Sequence, residues 1–302
     1  MNVVDMRGAI DIHSHGGGGH AFGATVEGTL AALAAHQATG TDRMVASLVT
    51  EPLDAMERRI AVVREAMRQS PNLLGIHLEG PFLAPSRKGA HPESALIDPA
   101  PDAVASLIDA CGEDLRQITM APELPGALAA IERFAEAGVV VAVGHTECTA
   151  AQARDAFAAG ARLITHAFNA MPPIAGRAPG PLGAALADER VFLEVIADGF
   201  HVAPESLSLL FAAAPGRVVL VTDAMAAAAS DEGTYLLGEL EVTVSGGKAV
   251  LAGTDTLAGS TLVLSRAIEV CEASGISREA AIEAATVTPV KALQACGWTV
   301  PA

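Results

Sequence analysis

Two kinds of apolar run alternate almost from end to end of this chain. The short ones, rich in Val, Ile and Leu at consecutive positions, read as strands buried on both faces: GAIDIHSH, RMVASLVT, LLGIHLEG, LRQITMAPE, VVVAVGHTE, RLITHAFNAM, FLEVIADGFHV and RVVLVTDAM. The longer ones, among them TVEGTLAALAAHQATG, PLDAMERRIAVVREAMRQ, PGALAAIERFAEAGV and TAAQARDAFAAGA, are amphipathic and alanine-rich. Several open on Thr or Pro and close on Gly, the residues that start and stop helices. Eight strands, each followed by a helix, in 302 residues predict a (β/α)8 TIM-type barrel forming one domain over residues 1–302. An open doubly wound sheet is the alternative, but no G-x-G-x-x-G follows an early strand to support it. One segment departs from the alternation. TYLLGELEVTVSGGKAVLAG, residues 234–253, alternates with period two around Gly246-Gly247 and reads as a β-hairpin inserted after the eighth strand.

Polar residues within this pattern are not scattered. His13 and His15 end the first strand, Glu79 the third, His145 the fifth, His166 the sixth, His201 the seventh and Asp223 the eighth. In a barrel these ends converge on one mouth, where active sites sit. A lone histidine at a strand end is ordinarily a hydrogen-bonded structural residue. Gathered together, however, these groups would be left unpaired in an apolar barrel unless a divalent cation satisfied them. His13 and His15, at i and i+2, share a strand face and can reach one ion. The four glycines that follow, Gly16 to Gly19, keep side chains off the first loop so that it can pass close to the mouth, and His20 beyond them reads as an exposed loop residue.

Composition removes several function classes. A net charge of −16 argues against nucleic acid and anionic membranes as partners, because both require a basic surface. One Trp and one Tyr leave little for stacking on bases. Cys111, Cys148, Cys271 and Cys296 are widely spaced, form no C-x-x-C pair and read as reduced thiols of a cytoplasmic protein. No apolar run approaches the length of a membrane span and the N-terminus has no leader pattern, so the expectation is a soluble, unprocessed enzyme.

GIHLEGPFLAPSRKGAHP, VVVAVGHTE, LITHAFNAMPPIAGRAPGPLGAAL, VIADGFHVAPE, VLVTDAM and DTLAGSTLVLSRAI occur in order between about residue 8 and residue 295. In these motifs the chain resembles the N-acetylglucosamine-6-phosphate deacetylase family of the amidohydrolase superfamily. The resemblance implies Glu79, His145 and His166 as principal metal ligands, His13 and His15 as ligands of a second ion present in some members, and Asp223 as the catalytic acid/base. It also implies His91 as a substrate-binding residue that polarises the amide carbonyl. Asn169, the Ala170 backbone amide, His201 and Arg177 would contact the phosphosugar, with Arg177 offered by the neighbouring subunit of a homodimer. One or two divalent ions per chain are expected, Zn first, with Fe, Mn and Co open. Typical members carry a small β-sandwich built from residues on both sides of the barrel, and that domain is expected to be missing here.

Each role has a rival. Asp223 could be a direct metal ligand, which does not exclude acid/base work, and Glu79 could pair with Arg87 or Lys88. PSRKGAH could be a solvated charged loop, although a loop this long between strand and helix favours a lid. Cys148 reads as a small buried residue opening a helix rather than a nucleophile. For the whole protein, the rivals are a deacetylase of another amino-sugar phosphate, such as N-acetylgalactosamine 6-phosphate, and a catalytically silent sugar-phosphate binder. The silent binder would have no need of Asp223.

Overall fold

All eight apolar runs form strands, and they pair in chain order through parallel ladders: β1 (Ile10–Ser14), β2 (Arg43–Val49), β3 (Leu73–Glu79), β4 (Leu115–Met120), β5 (Val140–Val143), β6 (Leu163–Ile164), β7 (Phe192–Ile196) and β8 (Val218–Val221). The computed structural model describes residues 6–299; residues 1–5 and 300–302, the ends of the span read as one domain, lie outside the described residues. Parallel strands need crossovers, and these are α1 (Val26–Ala38), α2 (Leu53–Met67), α3 (Pro101–Cys111), α4 (Ala127–Glu136), α5 (Ala150–Ala159), α6 (Gly180–Leu186) and α7 (Pro204–Ala213). Local signals set their starts. Thr25 accepts a hydrogen bond from Gly28 N at 2.9 Å, Thr149 and Gln152 form a capping box, and Pro101 and Pro204 open α3 and α7. With helices outside and side chains filling the inside, β1, β3, β5 and β8 are buried at every position.

The barrel closes between β8 and β1 through residues at and just beyond the strand ends. Asp223 N donates to His13 O at 2.8 Å, and His15 N donates to Ala224 O at 2.7 Å. The buried Asp11 carboxylate sews the same seam, accepting from Thr222 Oγ1 at 2.5 Å, Thr222 N at 3.3 Å and His13 N at 3.2 Å. Burial pushes the Asp11 carboxyl up to about 7 despite these bonds. Closure therefore brings Asp223 beside His13 and His15, although more than two hundred residues separate it from either along the chain.

The inserted segment differs from the expected hairpin. It is a three-stranded antiparallel meander, β9 (Gly233–Leu237), β10 (Leu240–Ser245) and β11 (Lys248–Leu251). Gly246-Gly247 forms its second turn as read, but Gly238-Glu239 forms a first one within what looked like continuous alternation. Leu237, Val242, Val244 and Ala249 pack with Val49, Met225, Ala227 and Ala258 in a small core of their own, which seats the meander over the β2 and β8 ends. Two helices follow it, α8 (Leu264–Ala273) and α9 (Arg278–Gln294), where one was expected.

The glycine run after His15 is a miniature hairpin, with Gly16–Gly17 pairing His20–Ala21 around Gly18 and Gly19. A Cβ on Gly16 would lie 2.3 Å from His20 O, and one on Gly17 2.8 Å from His36 Nε2. The run is thus kept bare by close backbone and side-chain approach within the hairpin and against α1, while His20 is exposed as expected.

Candidate metal centre and active site

Every expected ligand reaches the mouth at the C-terminal ends of the strands. His13 lies in β1 and Glu79 ends β3, while His15, His145, His166 and Asp223 stand one or two residues past their strands. His201 is the exception in position: it lies five residues beyond β7, in the turn before α7, rather than at the strand end. His145, His166, Ala170 and Asp223 have backbone φ of +48°, +25°, +50° and +48°. A non-glycine residue in this region costs on the order of 1–3 kcal/mol and persists where its surroundings hold it, which is common at functional sites.

Glu79 is the hub. Its Oε1 lies 3.1 Å from His145 Nε2, 3.2 Å from His166 Nε2 and 3.5 Å from His13 Nε2. Its Oε2 lies 3.2 Å from both His15 Nε2 and His91 Nε2. Asp223 Oδ1 stands 3.2 Å from His15 Nε2 and 3.6 Å from His13 Nε2. Two trios, Glu79-His145-His166 and His13-His15-Glu79, therefore share one carboxylate, with the donor atoms of each trio within 4.8 Å of one another. Arg87 pairs with Glu147 at 2.5 Å, and every ion pair of Glu79 among the described residues is with a histidine, which goes against its reading as a plain partner of Arg87 or Lys88.

The donor set suits a divalent cation. His145 and His166 bring their Nε2 atoms within 3.0 Å, and His13 and His15 bring theirs within 3.2 Å. Neutral imidazoles presenting lone pairs to each other repel unless something positive lies between them, and nitrogens sharing one tetrahedral zinc sit about 3.3 Å apart. Burial favours the neutral form of Glu79 and Asp223, but the facing histidines outweigh it. Among the protein groups alone, and against burial, the acidic groups push His13 well above the ordinary imidazole value and His15 up to about 9, and these imidazolium charges hold Glu79 well below the usual carboxylate range and Asp223 at about 2. A divalent cation would take over that positive charge and leave the imidazoles neutral as donors.

A cavity of about 450 Å³ opens above the trios. His15, Glu79, His91, His145, His166 and Asp223 line its floor, and Asn169, Ala170 and His201 also border it. The loop after β3 supplies Ser86, Arg87, Gly89 and Ala90 to its wall, and the meander region supplies Leu237 and the 255–257 stretch. That loop lies over the mouth as a lid would, rather than standing free in solvent. Arg177 is not brought in: it is exposed, at a turn closed by mutual bonds between Ala175 and Ala178.

The amidohydrolase family profile matches residues 6–295. N-acetylgalactosamine-6-phosphate deacetylase of Escherichia coli O157:H7 is 38% identical over 289 residues, 94% of this chain and 76% of its own length. Human N-acetylglucosamine-6-phosphate deacetylase is 36% identical over 304 residues, 95% of this chain and 73% of its own. The crystal structure of N-acetyl-D-glucosamine-6-phosphate deacetylase from Mycobacterium smegmatis superposes with a TM-score of 0.92 at 43% identity, covering 98% of this chain and 80% of that one. The chain belongs to the N-acetylglucosamine-6-phosphate deacetylase family of amidohydrolases. Divalent-metal use goes with that family, and the two trios sharing Glu79 supply donors for it.

Behind the residues that the family motifs pointed to, the structure places supports that the strand-end reading missed. Glu194 on β7 takes His13 Nδ1 at 3.0 Å, and Asp198 takes His201 Nδ1 at 2.7 Å. His77, two residues before Glu79, lies between Ser47 Oγ and Thr119 Oγ1, at 2.8 Å from each. For Glu194 and His77 the sequence signal was present: a charged or imidazole side chain inside a buried strand must have a partner, whereas Asp198 lies two residues past β7 and gave no such signal. In this deacetylase-family barrel no helix among the described residues is long and apolar enough to cross a membrane, and all four cysteines are free.

Proposed function

We propose that this chain hydrolyses the N-acetyl amide of N-acetylglucosamine 6-phosphate to glucosamine 6-phosphate and acetate, using Glu79, His145 and His166 to hold one divalent cation and His13 and His15, with Glu79, to hold a second. Zinc is the ion expected first. The observation that carries this reading is the placement of Asp223, against His13 and His15, and of His91, against Glu79, in the lining of one cavity beside both trios.

When bound, the cation supplies polarisation of the amide carbonyl and acidification of a water at neutral pH. The rest falls to the protein. Asp223, held ionised at about 2, is a base at neutral pH: its Oδ1 can take a proton from the attacking water and return it to the departing amine nitrogen. His91 Nδ1 accepts from Thr50 N at 3.3 Å, which leaves the proton on Nε2, facing the cavity. Burial favours the neutral form of His91, and its Nε2–H, directed at Glu79 Oε2 at 3.2 Å, would serve the oxygen on which charge develops once that oxygen takes over from Glu79 as its acceptor. Asp198 holds His201 with the opposite polarity, accepting from Nδ1, and turns the ring so that it borders the cavity with Asn169 and the Ala170 amide; donation from Nε2 to a sugar phosphate requires the ring to carry both protons. Arg177, exposed in its own chain, would complete the phosphate site of a neighbouring subunit in a homodimer.

A relative that acts on the galactosamine epimer favours one second reading, N-acetylgalactosamine 6-phosphate as the substrate. Acetate release from the two phosphorylated sugars and from unphosphorylated N-acetylglucosamine, by protein loaded with Zn, Mn, Fe or Co, tests both. Release from the glucosamine ester at the higher kcat/KM is expected. Absence of release from every sugar, with D223N binding them as tightly as wild type, would leave a silent binder.

A further inference from the structure

His13 is the most deeply buried imidazole of the two trios, at 0% exposure, and it alone among them turns its outer nitrogen to a carboxylate. That carboxylate is Glu194, itself at 0% exposure. Its oxygens meet three donors from three other strands or their ends: Oε2 lies 3.0 Å from His13 Nδ1 and 3.3 Å from His166 N, and Oε1 lies 2.7 Å from Gln117 Nε2. A carboxylate buried in the middle of a barrel is costly unless it is paired, and His13 is the only ion-pair partner of Glu194 among the described residues. The Nδ1 atoms of His15 and His166, by contrast, have no hydrogen-bond partner among the described residues, and His145 Nδ1 has only a main-chain carbonyl.

We infer that Glu194 is a positioning residue that builds the second cation position. Accepting the Nδ1 proton of His13 leaves the Nε2 lone pair free and aims it at His15 and Glu79, the orientation a ligand requires. The bond to His166 N ties the same carboxylate to the backbone of a ligand in the other trio, where φ is +25°. One buried acid on β7 thus registers β1 against the end of β6. This rests on the two-ion reading proposed above.

The test compares wild type with E194A, which removes the acceptor, and E194Q, which keeps shape and one acceptor oxygen but not the charge. Each is equilibrated with Zn(II), ions per chain are counted and titrated, and the His13 ring nitrogens are followed by 15N NMR, with H13A identifying the signals. Wild type is expected to hold two ions. E194Q should hold the second about 10–100-fold more weakly, and E194A should hold only the ion at Glu79, His145 and His166. A role in stability alone would lower the melting temperature of both variants and leave second-ion affinity unchanged, which overturns the assignment. Should E194A fail to fold, unchanged affinity in E194Q overturns it equally. Wild type holding a single ion would sink the two-ion reading instead, and the NMR then judges Glu194 separately. Protonation of His13 Nδ1 that is the same in wild type and E194A overturns the role, while a proton held on Nδ1 in wild type and lost from it in E194A upholds it.

Discussion

His145 donates from Nδ1 to the main-chain carbonyl of Arg87 at 2.8 Å, so the loop after β3 is docked on a side chain from the end of β5. Gly89 in that loop has φ +54°, and a Cβ there would lie 3.2 Å from His145 Cε1. G89A should therefore both strain the loop and push on the imidazole. The expected outcome is a kcat/KM lower by about tenfold, an effect of ~1.4 kcal/mol, with zinc bound more weakly and little change in melting temperature. Steady-state kinetics and metal titration check it.

Asp223 and His91 line the same cavity but have different proposed tasks, and their variants should separate. D223N should lower kcat on the order of 10²–10⁴-fold while the protein still binds sugar phosphate. H91A should lower kcat by roughly 10²–10³-fold through loss of the Nε2 donor, and also raise KM, because His91 borders the cavity where the amide would lie. Kinetics together with calorimetric binding of the substrate to D223N distinguish the two.

Arg177 stands exposed and outside its own cavity. If a neighbouring subunit receives it, R177A should raise KM strongly with a smaller effect on kcat. Mixing R177A with D223N should then restore activity, since a mixed dimer has one site with Asp223 in place and Arg177 supplied across the interface. A mixture no more active than the sum of its parts would place Arg177 outside catalysis or within its own chain.

The thiols should be inert in the native protein. Burial pushes Cys111, Cys148 and Cys271 up to about 12, so thiolate is scarce at pH 8 and its fraction would grow only as pH approaches that value. Alkylation by iodoacetamide at pH 8 is expected to leave these three unmodified and acetate release intact, and mass spectrometry of the digested protein reports it. Cys148 in particular, buried just before the cap of α5, is a packing residue rather than a nucleophile.

How much could be read before folding differs by element. The eight strands were legible because burial on both faces imposes consecutive Val, Ile and Leu, a pattern that survives without any knowledge of neighbours. The gathering of His13, His15, Glu79, His145, His166 and Asp223 was legible because a barrel sends every strand end to one mouth, so these candidates needed only their place in each run. The first turn of the meander was not: Gly238-Glu239 carries one glycine inside an unbroken period-two pattern, and the chain reverses there because Leu237, Val242 and Val244 find Val49 and Met225 to cover. Nor was the task of Glu194. An acid inside FLEVIADG announces that it needs a partner, but the partner is 181 positions away, and only closure of β8 onto β1 lets a β7 carboxylate reach His13. The sequence by itself determined which side chains face the mouth. The tertiary structure decided which of them touch, because hydrogen-bond reach is about 3 Å and only the closed barrel brings distant strands within it.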